Sequence, residues 1–235
     1  MTISLITLDL DHTLWNPDAA LQRAEIASHA WLAKAAPAFG DKFPLPAFVD
    51  WRMALCVQQP ALKHRVSEIR RQSFITALEH TGHTTKEARE LATHAFQVFW
   101  ELRQDVALFD EAEYLLQTLA RDYTLGAISN GNACLKTIGL APFFTFHFAA
   151  DDFPAAKPAA DLFLAALAHT GVTAGNTVHI GDHPVDDIQG AKAVGMKTVW
   201  VNLDGCSWPV DLAPADVEVN NLLAIPAAIQ TLTTL

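Results

Sequence analysis

Residues 3–14, with the sequence Ile-Ser-Leu-Ile-Thr-Leu-Asp-Leu-Asp-His-Thr-Leu, determine how the rest of the chain is interpreted. An apolar run of strand-forming residues ends in two carboxylates, Asp9 and Asp11, followed by the hydroxyl of Thr13. An unpaired buried carboxylate is costly, so a buried strand has no structural use for this ending. The pattern favours a site at the carboxyl end of a parallel strand, where open α/β sheets bind ligands. An acidic turn or helix cap is the alternative, because Asp and Thr are common at both.

The composition indicates a folded protein and argues against nucleic acid as its partner. The chain has 235 residues, of which 51% are hydrophobic and 18% charged, so it suits one domain or a domain with a modest insertion. Its net charge of −10 argues against a nucleic-acid partner, because phosphate backbones require clustered Lys and Arg. An anionic substrate could still bind beside a divalent cation that reverses the local charge.

The cysteines and the termini predict a cytoplasmic protein. Cys56, Cys134 and Cys206 are scattered and odd in number, which is typical of neither a disulfide framework nor a metal site. The N-terminus has no basic leader, and no apolar run approaches the ~18 residues of a membrane span. We therefore expect no membrane partner. The sequence leaves open whether the protein is a monomer or a homodimer.

The segment between residues 16 and 103 has helical periodicity and no convincing strand pattern. Helices are predicted from Asp18 to about residue 35, over 47–58 and over 63–81, with Pro37 and Gly40 ending the first. Thr84 and Glu87 have the spacing of a capping box that opens a fourth helix. The segment is therefore predicted to be an all-helical module.

From Asp105 onward, strand and helix patterns alternate. Strands are predicted over residues 124–128, 144–149, 177–181, 197–202 and 217–219. Helices are predicted over residues 161–170 and 187–194, each followed by a glycine. This alternation predicts an α/β fold, a doubly wound parallel sheet with helices on both faces. The first strand belongs to that sheet, so the predicted domains are residues 1–14 with 105–235, and an inserted helical domain of residues 15–104.

Several strand ends and one loop of this sheet carry polar residues. In chain order they are Asp9, Asp11 and Thr13; Ser129 and Asn130; Lys157; and Asp182, Asp186 and Asp187. Because all strand carboxyl ends of a parallel sheet lie at one edge, these groups are predicted to converge. For Asp186, a helix cap is an equally good interpretation.

The converging set suits phosphoryl transfer. Carboxylates at one edge repel each other unless a hard cation lies between them, and oxygen ligands of this kind select Mg²⁺, which keeps positions open for phosphate oxygens. A hydroxyl, backbone amides and a lysine are donors for phosphate oxygens. The remaining carboxylates can act as nucleophile and proton shuttle.

These motifs resemble those of the haloacid dehalogenase superfamily, which shares Asp-x-Asp-x-Thr, a Ser or Thr strand end, a Lys and Gly-Asp-x-x-x-x-Asp in this order. They correspond here to residues 9–13, Ser129, Lys157 and residues 181–187. The helical insertion resembles the helical (C1-type) cap of subfamily I. The resemblance implies a Rossmann-like core and a phosphatase, and the core motifs look most like bacterial flavin-pathway phosphatases, which act on FMN or 5-amino-6-(5-phosphoribitylamino)uracil.

The resemblance also implies a role for each site residue. Asp9 would attack phosphorus and form an aspartyl-phosphate, and Asp11 would act as general acid and then general base. Mg²⁺ would be held by Asp9, Asp182 and the backbone carbonyl of Asp11, with Asp187 as a direct or water-mediated ligand.

The phosphate would be bound by Ser129 and the amide of Asn130, while Lys157 offsets the negative charge and Thr13 orients the loop at the phosphate-binding end.

Alternatives remain open at this point. Asp11 argues against a dehalogenase, because that branch of the family lacks the second Asp and the metal. A sugar-phosphate or phosphoglycolate-type phosphatase or a phosphomutase would share the same core, and a receiver-like switch would use a strand-end Asp without turnover. Trp15 could stack on a substrate ring or pack in the core, and His12 could contact substrate or merely fill the loop.

Overall fold

The computed structural model describes residues 2–234, which divide into two compact units. We call residues 2–16 with 107–234 the sheet unit, and residues 17–106 the helical unit. The boundaries predicted from the sequence lay two residues earlier, at 14/15 and 104/105. The difference places Trp15 in the sheet unit rather than in the helical insertion.

The regular elements alternate in the sheet unit and are all helical in the helical unit. The strands are β1 (Leu5–Leu8), β2 (Thr124–Ser129), β3 (Phe146–Ala149), β4 (Thr177–Gly181), β5 (Lys197–Val201) and β6 (Val217–Val219). The helices are α1 (Asp18–Ala35), α2 (Pro37–Lys42), α3 (Leu45–Gln58), α4 (Val66–His80), α5 (Thr85–Arg103), α6 (Ala112–Leu119), α7 (Leu135–Ile138), α8 (Asp161–Thr170), α9 (Gly190–Ala193) and α10 (Ile225–Thr234). Short 3₁₀ turns occupy Pro60–Leu62, Ala141–Phe143, Ala150–Asp152, Ala174–Asn176 and Leu222–Ala224.

The six strands form one parallel sheet in the order β3-β2-β1-β4-β5-β6, which confirms the predicted fold class. Every residue of β1 and of β4 is buried, as expected for central strands with both faces covered. Leu8 pairs with Ala127 on one side and with Ile180 on the other. The residues that follow β1, β2 and β4 therefore emerge side by side at one edge.

The predicted elements of the sheet unit match closely, with one correction. Strand β4 and helix α8 have the predicted bounds, and α8 ends at Gly171 in the left-handed conformation (φ 69°). The helix predicted from Asp187 begins earlier, as a π-helical turn over Pro184–Gln189 that leads into α9. Pro184 favours this start because its φ is preset for a first helical turn, and His183 Nδ1 accepts a hydrogen bond from the Asp186 amide (3.0 Å).

The helical unit has no strand within residues 17–106, as predicted. Its α5 opens with the predicted capping box, in which the Thr84 amide donates to Glu87 Oε2 (2.9 Å) and the Glu87 amide to Thr84 Oγ1 (3.3 Å). Gly40 was expected to help end the first helix, but it lies inside α2, where a Cβ would come within 2.9 Å of Ala33 Cβ. No helix in residues 2–234 has both the length and the apolar character to cross a bilayer.

Aromatic side chains fill the core of the helical unit. Phe48 of α3 stacks on Phe74 of α4 with ring centroids 5.0 Å apart, and Phe39 of α2 meets Phe48 edge-on at 5.3 Å. All three rings are fully buried. Burial of such apolar surface, rather than helix propensity, supplies most of the stability of helices this short.

Phe74→Ala should therefore destabilise the helical unit. Removing a fully buried ring loses its transfer free energy and leaves a cavity, so the free energy of unfolding should fall by about 3–5 kcal/mol in urea denaturation. Val57→Ala in α3, where the side chain is exposed, is the control and should change it by less than ~0.5 kcal/mol. Equal effects of the two variants would contradict this description of the core.

Candidate active site

The predicted site residues surround a cavity of about 180 Å³ at the carboxyl edge of the sheet, beside β1 and β4. In the order β3-β2-β1-β4-β5-β6, successive strands are added on one side of β1 and then, from β4, on the other. Open α/β sheets bind ligands at this switch point. The lining residues are Asp9, Asp11, His12, Ser129, Asn130, Gly131, Lys157, Asp182, His183, Asp186 and Asp187. Of the predicted site residues, Thr13 alone is missing from this lining.

Lys157 lies between two buried carboxylates. Its Nζ donates to Asp9 Oδ1 (2.5 Å), to Asp187 Oδ1 (2.6 Å) and to the carbonyl of Ile128 (2.8 Å), which uses all three ammonium hydrogens. Burial opposes the charged lysine, but the carboxylates of Asp187 and Asp9 outweigh it and raise the pKa of Lys157. The lysine is therefore a permanent positive charge inside an acidic site.

Asn130 holds the backbone of this lysine. Its side-chain Oδ1 accepts from the Lys157 amide (2.9 Å), and its Nδ2 donates to the Lys157 carbonyl (3.0 Å). The Lys157–Pro158 peptide is cis. The motif comparison assigned a role only to the backbone amide of Asn130, so this side-chain contact was missed; it joins two loops that are 27 residues apart in sequence.

Asp187 is held at both carboxylate oxygens. Oδ1 accepts from Lys157 and from His179 Nε2 (3.1 Å), while Oδ2 accepts from the His183 backbone amide (2.9 Å). Burial opposes ionisation, but Lys157 and His179 hold the pKa of Asp187 well below its usual range. A Cβ on Gly181 would lie 2.3 Å from Asp187 Cγ, so the glycine of the motif is what lets this carboxylate pack against the strand end.

His179 is a site residue that the sequence analysis missed. It lies in the middle of β4, fully buried, with Nδ1 2.8 Å from Thr7 Oγ1 and Nε2 on Asp187. Burial lowers the pKa of His179, so the ring is neutral. Because ionised Asp187 can only accept, Nε2 carries the proton and Nδ1 accepts from the Thr7 hydroxyl. The available signal was a lone histidine in an apolar strand, eight residues before Asp187.

Asp182 is fixed by one contact from the loop after β1 and one from β5. The Thr13 hydroxyl donates to its Oδ1 (3.0 Å), and the Trp200 indole donates to its backbone carbonyl (2.7 Å). Burial, followed by the charge of Asp187, raises the pKa of Asp182 to about 6. Thr13 was predicted to orient the loop at the phosphate-binding end, and this contact gives the one hydrogen of its hydroxyl to Asp182.

Asp11 lies at the cavity and accepts a hydrogen bond from a buried tryptophan. The Trp15 indole Nε1 donates to Asp11 Oδ1 (2.7 Å), and Trp15 itself is fully buried. This excludes the alternative in which the Trp15 ring stacks on a substrate. His12, between the two carboxylates of the motif, is exposed at the cavity and adopts the left-handed backbone conformation (φ 61°).

Ser129 and Asp186 complete the lining. Ser129 Oγ accepts from the Gly131 amide (3.0 Å), a contact that does not use its hydroxyl hydrogen. Asp186 Oδ2 accepts from Asn130 Nδ2 (3.3 Å). The helix-cap interpretation of Asp186 is wrong, because the side chain that caps this turn belongs to His183.

Three carboxylates are arranged as a cation site would require. Asp9, Asp182 and Asp187 each place one oxygen so that all three atoms lie within 4.8 Å of one another. Burial raises the pKa of Asp9 well above its usual value, Lys157 opposes this, and Asp187 and Asp182 add to it. Hard oxygen donors with excess negative charge fit Mg²⁺. The carboxylate of Asp11 lies outside this group.

A model of haloacid dehalogenase-like hydrolases matches residues 3–195. The match spans most of the chain, and the protein belongs to this family of hydrolases. The family resemblance drawn from the motifs is thereby confirmed.

Relatives similar over most of the chain include phosphatases. The chain is 28% identical to the 5-amino-6-(5-phospho-D-ribitylamino)uracil phosphatase YigB of Escherichia coli, covering 97% of this chain and 96% of that one. It is 29% identical to the pyrimidine 5′-nucleotidase PynA of Streptococcus pneumoniae, covering 86% and 85%. A solved structure described as a 2-haloacid dehalogenase from Pseudomonas syringae pv. Tomato has a TM-score of 0.92 and 41% identity, covering 98% and 99%. The curated relatives support a phosphatase.

The raised pKa of Asp182 predicts a pH-dependent stability in the absence of divalent cations. Its folded pKa of about 6 exceeds the ordinary aspartate value of 3.8, so the unfolded chain loses this proton first as pH rises. The contribution of Asp182 to stability is therefore greatest below about pH 4 and falls up to about pH 6. In EDTA at pH 7.5, Asp182→Asn should melt about 2–4 °C higher than wild type, a shift equivalent to roughly 1 kcal/mol, and the gap should close near pH 4.

Differential scanning fluorimetry between pH 4 and 8 measures this gap. Asp122→Asn, at an exposed position, is the matched control and should follow wild type at every pH. Added Mg²⁺ should raise the melting temperature of wild type and have much less effect on Asp182→Asn. A gap that stays constant with pH would show that the charge of Asp182 is not its cause.

Proposed function

We propose that the protein is a Mg²⁺-dependent phosphomonoester hydrolase that acts on a small phosphorylated metabolite through an aspartyl-phosphate. The observation that carries the proposal is the buried group of Asp9, Asp182 and Asp187, with Lys157 bonded between two of them. Asp11 lines the same cavity as the predicted nucleophile Asp9. Two carboxylates with different surroundings at one cavity suit the separate tasks of nucleophile and acid–base group.

In the first step, a carboxylate oxygen of Asp9 attacks phosphorus. The bond between phosphorus and the ester oxygen breaks, and the carboxylic acid of Asp11 gives its proton to that oxygen, so a neutral alcohol leaves. Splitting hydrolysis into two displacements lowers the barrier of each.

In the second step, a water molecule attacks the phosphorus of the aspartyl-phosphate. The carboxylate of Asp11 takes a proton from the water, the bond between phosphorus and the Asp9 oxygen breaks, and phosphate leaves. Asp9 is then a carboxylate and Asp11 an acid again, ready for the next cycle.

The phosphoryl oxygens would be bound by the Ser129 hydroxyl and the backbone amide of Asn130 at the cavity. Lys157 would offset the charge that accumulates around Asp9 and the phosphoryl group. Asp9, Asp182 and Asp187, with the backbone carbonyl of Asp11, would hold the Mg²⁺ ion. When bound, the ion supplies positive charge that stabilises the phosphoryl oxygens in the transition state.

For the substrate, we propose FMN or a phosphorylated flavin precursor. The similarity to YigB extends over 97% of this chain, so it includes the helical unit as well as the catalytic motifs. Sugar phosphates and phosphoglycolate are the competing substrate classes, and a phosphomutase would use the same first step. A cytoplasmic location and a monomeric or homodimeric state also remain proposals.

Dehalogenation is the second candidate reaction, favoured by the 41% identity to a structure described as a 2-haloacid dehalogenase. Against it stand Asp11 at the cavity and the group of three carboxylates, which suit a proton shuttle and a cation. Chloride release from 2-chloropropionate would separate the two activities. A receiver-like switch would instead show a long-lived phosphorylated Asp9 without turnover.

Asp9→Asn should abolish hydrolysis of p-nitrophenyl phosphate. The amide is a poor nucleophile, so kcat should fall at least about 10³-fold, and EDTA should inactivate wild type until Mg²⁺ is restored. Phosphate release measures both effects, and Asp211→Asn at an exposed position should keep wild-type activity. Turnover that survives both EDTA and Asp9→Asn would overturn the proposed function.

The substrate proposal predicts a ranking of phosphate esters. FMN or 5-amino-6-(5-phosphoribitylamino)uracil should give a kcat/KM at least about tenfold higher than ribose 5-phosphate or phosphoglycolate, a difference of roughly 1.4 kcal/mol in transition-state binding. Phosphate release with equal concentrations of each ester measures the ranking. A sugar phosphate or phosphoglycolate at the top would replace the flavin proposal and leave the phosphatase proposal intact.

A further inference from the structure

We propose that Trp15 is a positioning residue that orients the carboxylate of Asp11 for proton transfer to the leaving group. The inference rests on the proposed function, in which Asp11 is the acid–base residue. It assigns the buried tryptophan after the Asp-x-Asp-x-Thr motif a part in the reaction, although its ring is inaccessible to substrate.

The contact is a short hydrogen bond at the edge of a buried region. Trp15 Nε1 donates to Asp11 Oδ1 at 2.7 Å, and the tryptophan is fully buried. A buried indole N–H needs an acceptor, and the side chain of Asp11 provides it. The terminal torsion of an Asp side chain is broad, so a bond to one oxygen restricts where the other oxygen can lie.

The backbone of Trp15 also closes the catalytic loop. Its carbonyl accepts from the His12 amide (2.7 Å), while the Leu14 amide donates to the Leu10 carbonyl (2.8 Å). His12 adopts the left-handed conformation in this loop, which a residue with a side chain rarely adopts unless its surroundings hold it there. Asp11 is thus held through its side chain by the indole and through the adjacent peptide by the carbonyl of the same residue.

Trp15 is in turn anchored where the chain re-enters the sheet unit. It forms an antiparallel bridge with Leu108, and the Phe109 amide donates to the Leu14 carbonyl (3.0 Å). These are backbone contacts, so they keep the indole in place independently of any substrate. A group fixed in advance in this way adds no ordering cost at the moment of reaction.

Positioning of the Asp11 carboxyl group serves both proton transfers. In the first step its O–H bond breaks and an O–H bond forms on the leaving alcohol. In the second step a water O–H bond breaks and the O–H bond of Asp11 forms again, so protons balance over the cycle.

A positioning role has a consequence that a structural role lacks. An acidic phenol leaves from phosphorus with little help from a proton, whereas an alkyl alcohol leaves only when it is protonated. Loss of the indole bond should therefore slow alkyl esters more than p-nitrophenyl phosphate. If Asp11 merely satisfies the buried N–H, losing that N–H should alter stability with no dependence on the leaving group.

The test compares Trp15→Phe with wild type on p-nitrophenyl phosphate, phenyl phosphate and glycerol 2-phosphate. Phenylalanine keeps an aromatic ring and removes the N–H. We expect kcat/KM for glycerol 2-phosphate to fall about 10- to 100-fold, within the range that general acid catalysis contributes, and kcat/KM for p-nitrophenyl phosphate to fall less than about threefold. The matched control is Trp51→Phe, which removes an indole N–H that donates to Thr76 Oγ1 (3.1 Å) in the helical unit, and it should show no dependence on the leaving group.

A second measurement does not depend on the fold of the Trp15 variant. In ¹⁵N-labelled protein, Asp11→Ala should move one indole N–H signal, that of Trp15, upfield, because the variant removes the oxygen that accepts from this N–H. A signal that does not move, or a Trp15→Phe loss equal for all three esters, overturns the inference. If either of these results is found and Asp9→Asn is inactive, the role of Trp15 is wrong and the proposed phosphatase stands. If Asp9→Asn is active, the proposed function itself is wrong.

Discussion

The buried ammonium of Lys157 is the interaction on which the rest of the site depends. It donates to Asp9, to Asp187 and to the carbonyl of Ile128, so one positive charge joins β1, β2 and the turn after β4. Without it, two ionised carboxylates would face each other away from water, and breaking a buried pair of this kind costs about 3–5 kcal/mol. The acidity needed for cation binding is therefore compatible with folding because the lysine is present.

Neutral side chains surround the charged residues at this lysine. Asn130 holds its backbone, and His179, held by Thr7, donates to the same oxygen of Asp187. Farther out, Thr13 and Trp200 fix Asp182, the carboxylate without a bond to the lysine. Asp182 and Asp187 are thus oriented by neutral donors from a neighbouring strand or loop, in the way that outer contacts orient the carboxylates of metal sites.

The sequence alone was sufficient to predict the sheet and the convergence of polar residues at its carboxyl edge. Parallel strands place their carboxyl ends at one edge, so polar residues after three apolar runs had to meet, and Asp9, Ser129, Lys157 and Asp187 do line one cavity. The contacts of His179, Thr13 and the Asn130 side chain were not predictable in this way. Each depends on which strand lies beside which, and on distances across the sheet that no local pattern records.

Trp15 shows most clearly the difference between what the sequence determines and what the tertiary structure decides. The sequence determined that an aromatic residue follows the catalytic loop, and it left open whether the ring faces substrate or the core. Only the tertiary structure decided this, because Leu108 and Phe109, more than ninety residues later, fix the backbone at residues 14–15 and the ring is buried with its N–H on Asp11. The sequence determines which reactive side chains follow each strand. The hydrogen bonds that orient those side chains depend on packing between segments that are distant in sequence.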